Sequence, residues 1–232
     1  LYTFLEEVAV EAITPVPAMP SILGPKAEQL LRRIGGLEVT LLQRCAAAQW
    51  HGVAITSIRT DFVGVPAYDL VVEASKAEAL WRHILDGGAS LGIRPVGAAA
   101  LEAIRIENGI PVYGRELSEK HNPLEANLLH AVSFNKGCYI GQEVVTRLAT
   151  YKKVQKRLMG VALEGDGAFP DDAKLLVDQR EAGFMTSKAN SFRLGRPIAL
   201  AYVKTAYAKP GAQVTVVSEE AEARGALVEL PF

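Results

Sequence analysis

From Val154 to the end of the chain the sequence holds no helix-length apolar periodicity, only short apolar runs cut by turns. Val154–Leu163, Lys174–Val177, Glu181–Thr186, Ile198–Val203, Gln213–Val217 and Ala226–Leu230 each read as a strand. The segments between them are rich in Gly, Asp, Pro and Asn, residues that punctuate rather than extend regular structure. Short strands at this spacing can cover their apolar faces only by closing on one another or by stacking, so this region is expected to form a small β-barrel or sandwich.

The first two thirds of the chain read differently. Ala27–Ile34 places Leu30, Leu31 and Ile34 on one helical face, and Gly35-Gly36 ends it. Trp50–Arg59 and Ala67–Val72 read as strands rich in β-branched residues. Ser75 stands as an N-cap, with Glu78 at capping-box spacing, for a helix over Lys76–Leu85 that Gly87-Gly88 should stop. Ala98–Glu107 is a further helix. Thr3–Ile13 and Leu37–Leu42 are expected as strands, and Val96 as a strand or turn. Strands and helices mixed in this way suggest layered α/β sandwiches, so the fold class is α+β, with the β-barrel at the C-terminus. The boundary falls near 152–156.

Composition narrows the function. A net charge of -1 over 232 residues offers no electrostatic case for direct nucleic-acid binding, and the local run Lys152-Lys153 with Lys156-Arg157 reads as a solvated strand end. Two cysteines exclude a disulfide scaffold or a metal site built on thiolates alone, and the four histidines are scattered without ligand spacing, so no metal is expected. Cys45, in an Ala-rich stretch, reads as a small core residue. No apolar run approaches membrane-spanning length, so no membrane association is expected.

Two segments could carry chemistry. Lys136-Gly137-Cys138-Tyr139-Ile140-Gly141-Gln142-Glu143 sets a cysteine between two glycines, beside a lysine and before a helix with Val144, Val145 and Leu148 at helical spacing. The helix dipole and Lys136 favour a thiolate there, and Glu143 opposes it. Glu143 also stands four residues before Arg147, at ion-pair spacing. In Arg105-Ile106-Glu107-Asn108-Gly109-Ile110-Pro111-Val112-Tyr113-Gly114, Glu107 ends a helix just before a Gly-rich loop. It suits a carboxylate aimed into a cleft, although an ion pair with Arg105 or plain solvation is the commoner fate of a carboxylate so placed. Tyr113 offers a flat face for a heteroaromatic ring.

Lys136–Glu143 resembles the signature of the YgfZ-type tetrahydrofolate-binding proteins, which support iron–sulfur protein maturation. Arg105–Glu116, Glu181–Ser187, Ile198–Val203 and Pro231-Phe232 resemble segments of the wider glycine-cleavage T-protein (aminomethyltransferase) superfamily. The resemblance covers essentially the whole chain. It implies lobes around a central folate pocket: residues 1–45 ending the middle lobe, 46–155 the folate-pocket α/β lobe, and 156–232 the C-terminal barrel. It further implies an upstream portion carrying the aspartate regarded as catalytic in the T-protein. Glu107 would match the carboxylate that binds the pterin, with Tyr113, Lys136, Gln142 and Glu143 also in the folate site. Cys138 would be the reactive thiol.

The function this implies is a folate-binding, YgfZ-like role in iron–sulfur cluster assembly or repair, acting indirectly on tRNA modification. Tetrahydrofolate or a one-carbon derivative would be the cofactor and iron–sulfur proteins the partners, in the cytoplasm of a bacterium or in mitochondria. The alternative is a folate-dependent aminomethyltransferase. One departure weighs against the alternative: Asp61–Asp69 does not reproduce the Tyr-Thr-Gly-Glu segment that the T-protein carries in this region.

Overall fold

The computed structural model describes residues 17–35, 45–60, 64–151, 154–165, 169–170, 172–219 and 221–232. The strands expected over Thr3–Ile13 and Leu37–Leu42 lie outside the described residues. The chain divides into two compact units, Leu1–Pro95 and Val96–Phe232.

In the first unit, β1 (Pro17–Ala18), β2 (Ser21–Leu23), β3 (Cys45–Trp50), β4 (Val53–Arg59) and β5 (Ala67–Glu73) form an antiparallel sheet in the order β1-β5-β4-β3, with β2 also paired to β5. Helices α1 (Ala27–Gly35) and α2 (Ala77–Gly88) close its core. Leu30, Leu31 and Ile34 of α1 and Leu80 and Ile84 of α2 meet Ile55, Leu70 and Val72 of the sheet, as the 3.6-residue and two-residue periods require.

Three local expectations are corrected here. Trp50–Arg59 is not one strand but the end of β3, a turn at His51-Gly52 and β4; both turn residues have positive φ (47° and 79°), the requirement of a tight hairpin. Gly87-Gly88 are the last residues of α2 rather than a break after Leu85, and the chain runs on into a 3₁₀ turn over Ala89–Leu91 that ends at Gly92, φ 82°. A Cβ on Gly87 would come within 2.5 Å of the Ile34 side chain, so the glycine permits close approach of α1 and α2. Ser75 caps nothing: it lies in a 3₁₀ turn over Ala74–Lys76 and its hydroxyl donates to the Glu73 carboxylate. Glu78 instead pairs with Arg82 at 2.5 Å.

The second unit begins with α3 (Ala98–Glu107); Val96 precedes it in irregular structure. A loop-rich stretch leads to α4 (Gln142–Tyr151). Strands β6 (Lys156–Leu163), β7 (Lys174–Val177), β8 (Arg180–Ser191), β9 (Arg196–Lys204), β10 (Gln213–Val217) and β11 (Glu222–Val228) close into an antiparallel barrel in the order β10-β11-β6-β9-β8-β7. The barrel is the closed solution to the strand pattern, which leaves no open edge. Met159, Val161, Leu175, Met185, Ala199, Ala201, Val203 and Val216 fill its interior. The alternate residues Leu158, Ile198, Leu200 and Tyr202 are buried with Ile106 of α3. Strand β9 is therefore covered on both faces, which explains its unbroken apolar run. The basic run is accounted for in part: Arg157 pairs with Glu229 at 2.7 Å, and the Lys156 ammonium lies over the Tyr202 and Phe184 rings at 5.2 and 5.7 Å.

Candidate functional site

The signature loop delivers its residues to an open groove. Gly141 has φ +90°, a conformation that favours glycine and turns the chain into α4; Gly137 shows neither positive φ nor a close neighbour. The Tyr139 amide donates to the Gln142 side-chain oxygen at 3.3 Å, fastening the loop to the helix start. The Lys136 ammonium sits 4.7 Å from the centre of the Tyr139 ring.

Cys138, Gln142, Glu143, Thr146, Arg147, Thr150 and Tyr151 line a groove of about 780 Å³. From Gln142 onward these are pairs of helix positions four apart, so one face of α4 forms its wall. No residue of α4 is buried, and Cys138 is exposed. Among the described residues Glu143 and Arg147 form no ion pair with each other or with any other side chain, despite their i,i+4 spacing. The groove therefore presents a carboxylate, a guanidinium, hydroxyls and a thiol, with both charges unengaged.

Glu107 stands elsewhere. Its side chain is 10% exposed and is held by the β8–β9 hairpin. One carboxylate oxygen accepts from the Ser191 hydroxyl at 2.5 Å and from the Arg193 amide at 3.4 Å, and the other lies 3.8 Å from Arg193 Nε. The Glu107 carbonyl accepts from the Phe232 amide at 3.0 Å. Glu107 therefore forms no pair with Arg105, whose own partners are Glu102 and Glu116. Tyr113 is 82% exposed on the loop that follows α3. Glu107, Tyr113 and Lys136 are not among the groove-lining residues. Cys45 lies exposed on β3, which corrects its reading as a core residue: in a half-covered strand every second side chain faces out.

Sequence reasoning missed Thr146, Thr150 and Tyr151, although extending the helical period from Gln142 and Glu143 would have found them. It also missed Ser191 and Arg193, the partners of Glu107, which carry no local signal. Among the described residues no group of three or more His, Cys, Asp or Glu could hold a metal ion, and no helix is long and apolar enough to cross a membrane.

Two domain families match the chain: the GCVT N-terminal domain over residues 2–136 and the glycine cleavage T-protein C-terminal barrel domain over residues 156–232. Among similar curated proteins, an aminomethyltransferase of Symbiobacterium thermophilum is 31% identical over 223 residues, covering 93% of this chain and 59% of that protein. One of Moorella thermoacetica is 32% identical over 229 residues, covering 97% of this chain and 62% of the relative. This chain thus spans about three fifths of their length. The crystal structure of the glycine cleavage system aminomethyltransferase T from Bartonella henselae shares the fold, with a TM-score of 0.79 at 22% identity over 93% of this chain and 59% of that one. With its mixed α/β region and its barrel both matched, the chain belongs to the glycine cleavage T-protein family.

Proposed function

We propose that this protein binds tetrahydrofolate, or a one-carbon derivative of it, and takes part in folate-dependent aminomethyl transfer. The observation that carries the reading is the family match over both regions, together with relatives named as aminomethyltransferases. The groove beside α4 suits such a ligand. A pterin offers adjacent N–H donors that the unengaged Glu143 carboxylate can accept, and beside them a ring carbonyl to which Arg147, one helical turn on, can donate. Glu107 is the second carboxylate candidate, and it would have to release Ser191 to serve.

Calorimetric titration with tetrahydrofolate tests the binding. Saturable heat is expected, with Arg147→Gln and Glu143→Gln each weakening affinity on the order of tenfold, about 1.4 kcal/mol. Absence of saturable heat would sink the folate reading. Glu107→Gln is the control that distinguishes the two carboxylates. Release of ammonia and methylenetetrahydrofolate from an aminomethylated carrier protein then tests transfer.

A second reading, a YgfZ-type role in iron–sulfur cluster assembly or repair, is favoured by one observation: Cys138, the signature cysteine, is exposed on the groove. The departure at Asp61–Asp69 weighs in the same direction. Folate binding without transfer activity, joined to poor recovery of a cluster enzyme after oxidative stress in Cys138→Ala, would select this reading. Full recovery in that variant would remove the thiol from it.

A further inference from the structure

The fold brings together two histidines that lie 32 positions apart in sequence. His51 occupies the β3–β4 turn and His83 lies on α2; their ring centres are 5.4 Å apart with planes at 86°. Trp50 packs against both, at 5.2 Å from His51 and 5.3 Å from His83. His83 Nε2 lies 3.1 Å from the Ile34 carbonyl oxygen. A carbonyl only accepts, so Nε2 carries the proton and Nδ1 is left with its lone pair. A backbone carbonyl holding the far nitrogen is the usual outer support of a metal-binding imidazole. His51 makes no hydrogen bond among the described residues, so its ring nitrogens are unengaged.

We propose that His51 and His83 form a two-imidazole site for a borderline transition-metal dication of the zinc class. Two imidazoles on one tetrahedral zinc, each nitrogen about 2.0–2.1 Å from it, set their ring centres roughly 5 Å apart, close to the spacing here. No third His, Cys, Asp or Glu joins them among the described residues, so water completes the coordination. Such a site binds reversibly rather than as a closed structural centre, which keeps positions open. The metal would clamp the hairpin turn to α2 across the Trp50 ring.

The test is isothermal titration of Zn²⁺ into the full chain after both exposed cysteines have been carbamidomethylated, so that thiols do not compete. One equivalent with saturable heat in the micromolar range is expected. His51→Asn keeps a residue that tolerates the positive φ of the turn, and His83→Gln keeps a donor for the Ile34 carbonyl, so both variants preserve the fold's local contacts. Each should weaken binding by at least about tenfold, while His130→Asn leaves it unchanged. Absence of saturable heat below millimolar Zn²⁺, or unaltered affinity in His51→Asn, overturns the site.

Discussion

The cluster that ties α3 to the barrel and the loop that leads into α4 belong to the same compact unit and are built on opposite terms. In the cluster, Arg105 is 2% exposed and every arm of its guanidinium is engaged. Nη1 donates to Glu116 at 3.0 Å and to the Ile110 carbonyl at 3.2 Å, Nη2 to Ser187 at 2.6 Å and Glu102 at 2.5 Å, and Nε to Glu102 at 2.9 Å. Glu116, fully buried, also accepts from Ser187 at 2.6 Å and from the Val112 amide at 3.1 Å. Around the groove the charges of Glu143 and Arg147 meet no partner among the described residues. A buried charge network must be satisfied to exist at all. An exposed one can be left open for a ligand, because water solvates it meanwhile. The difference separates residues that hold the fold from residues available to chemistry.

The most severe way to break the contrast is Arg105→Ala. It strands Glu116 in a dry interior, and losing one partner of a buried ion pair typically destabilises by about 3–5 kcal/mol. Urea unfolding should show a loss of that size. A loss below about 1 kcal/mol would mean that the cluster is wetter or more adaptable than its geometry implies.

Next comes Ser191→Ala. It removes the shortest hydrogen bond to Glu107 and leaves a mostly buried carboxylate with only the longer Arg193 contacts, for an expected loss of about 1–3 kcal/mol. The same variant bears on function. If Glu107 rather than Glu143 receives the pterin, freeing its carboxylate should strengthen tetrahydrofolate binding while stability falls. Stability loss with unchanged affinity assigns Glu107 to the fold.

A smaller effect is expected from pH. His121 stacks on Tyr202 with ring centres 4.2 Å apart, and its buried Nδ1 has no hydrogen-bond partner among the described residues. Burial, and then the nearby Lys156 charge, push its pKa below the ordinary histidine value, with Glu125 opposing. The unfolded chain therefore takes up this proton first as pH falls. The stability due to neutral His121 is complete above about pH 6.5 and is lost as the solution is acidified below it. Glu102, whose pKa is lowered chiefly by its hydrogen bond to Arg105, behaves likewise in the carboxylate range. Melting temperatures of His121→Gln should fall less between about pH 7 and 5 than those of the parent. An identical slope would show that His121 does not titrate with folding.

The legible parts of the molecule are those where neighbours in sequence share one environment. The barrel strands are visible because an inner face alternates with an outer one, and β9 because both of its faces are covered. The helix after Gly141 is visible from Val144, Val145 and Leu148, and from that helix the groove wall follows. What could not be read depends on partners distant in the chain. Nothing near Glu107 announces Ser191, and nothing near His51 announces His83. Gly87 has the local appearance of a stop signal, and only Ile34 on another helix shows it to be a packing position. Ser75 fits a capping box until Glu73 and Arg82 take the two side chains that would have formed it.

The smallest effect, and the sharpest for the comparison, belongs to Cys138→Ser. The thiol is exposed and lies at the mouth of a helix with no buried residue, so the substitution should change stability by no more than about 0.5 kcal/mol. A thiol reagent should label both Cys45 and Cys138 in the folded chain without denaturant, because both are exposed. Saturating tetrahydrofolate should then slow labelling of Cys138 and leave Cys45 untouched, since only Cys138 lines the groove. Equal protection of the two cysteines would point to a change in the whole fold rather than occupation of the groove. Protection of neither, in protein that demonstrably binds the ligand, would move the folate site away from α4 and leave the open charges of Glu143 and Arg147 to another partner.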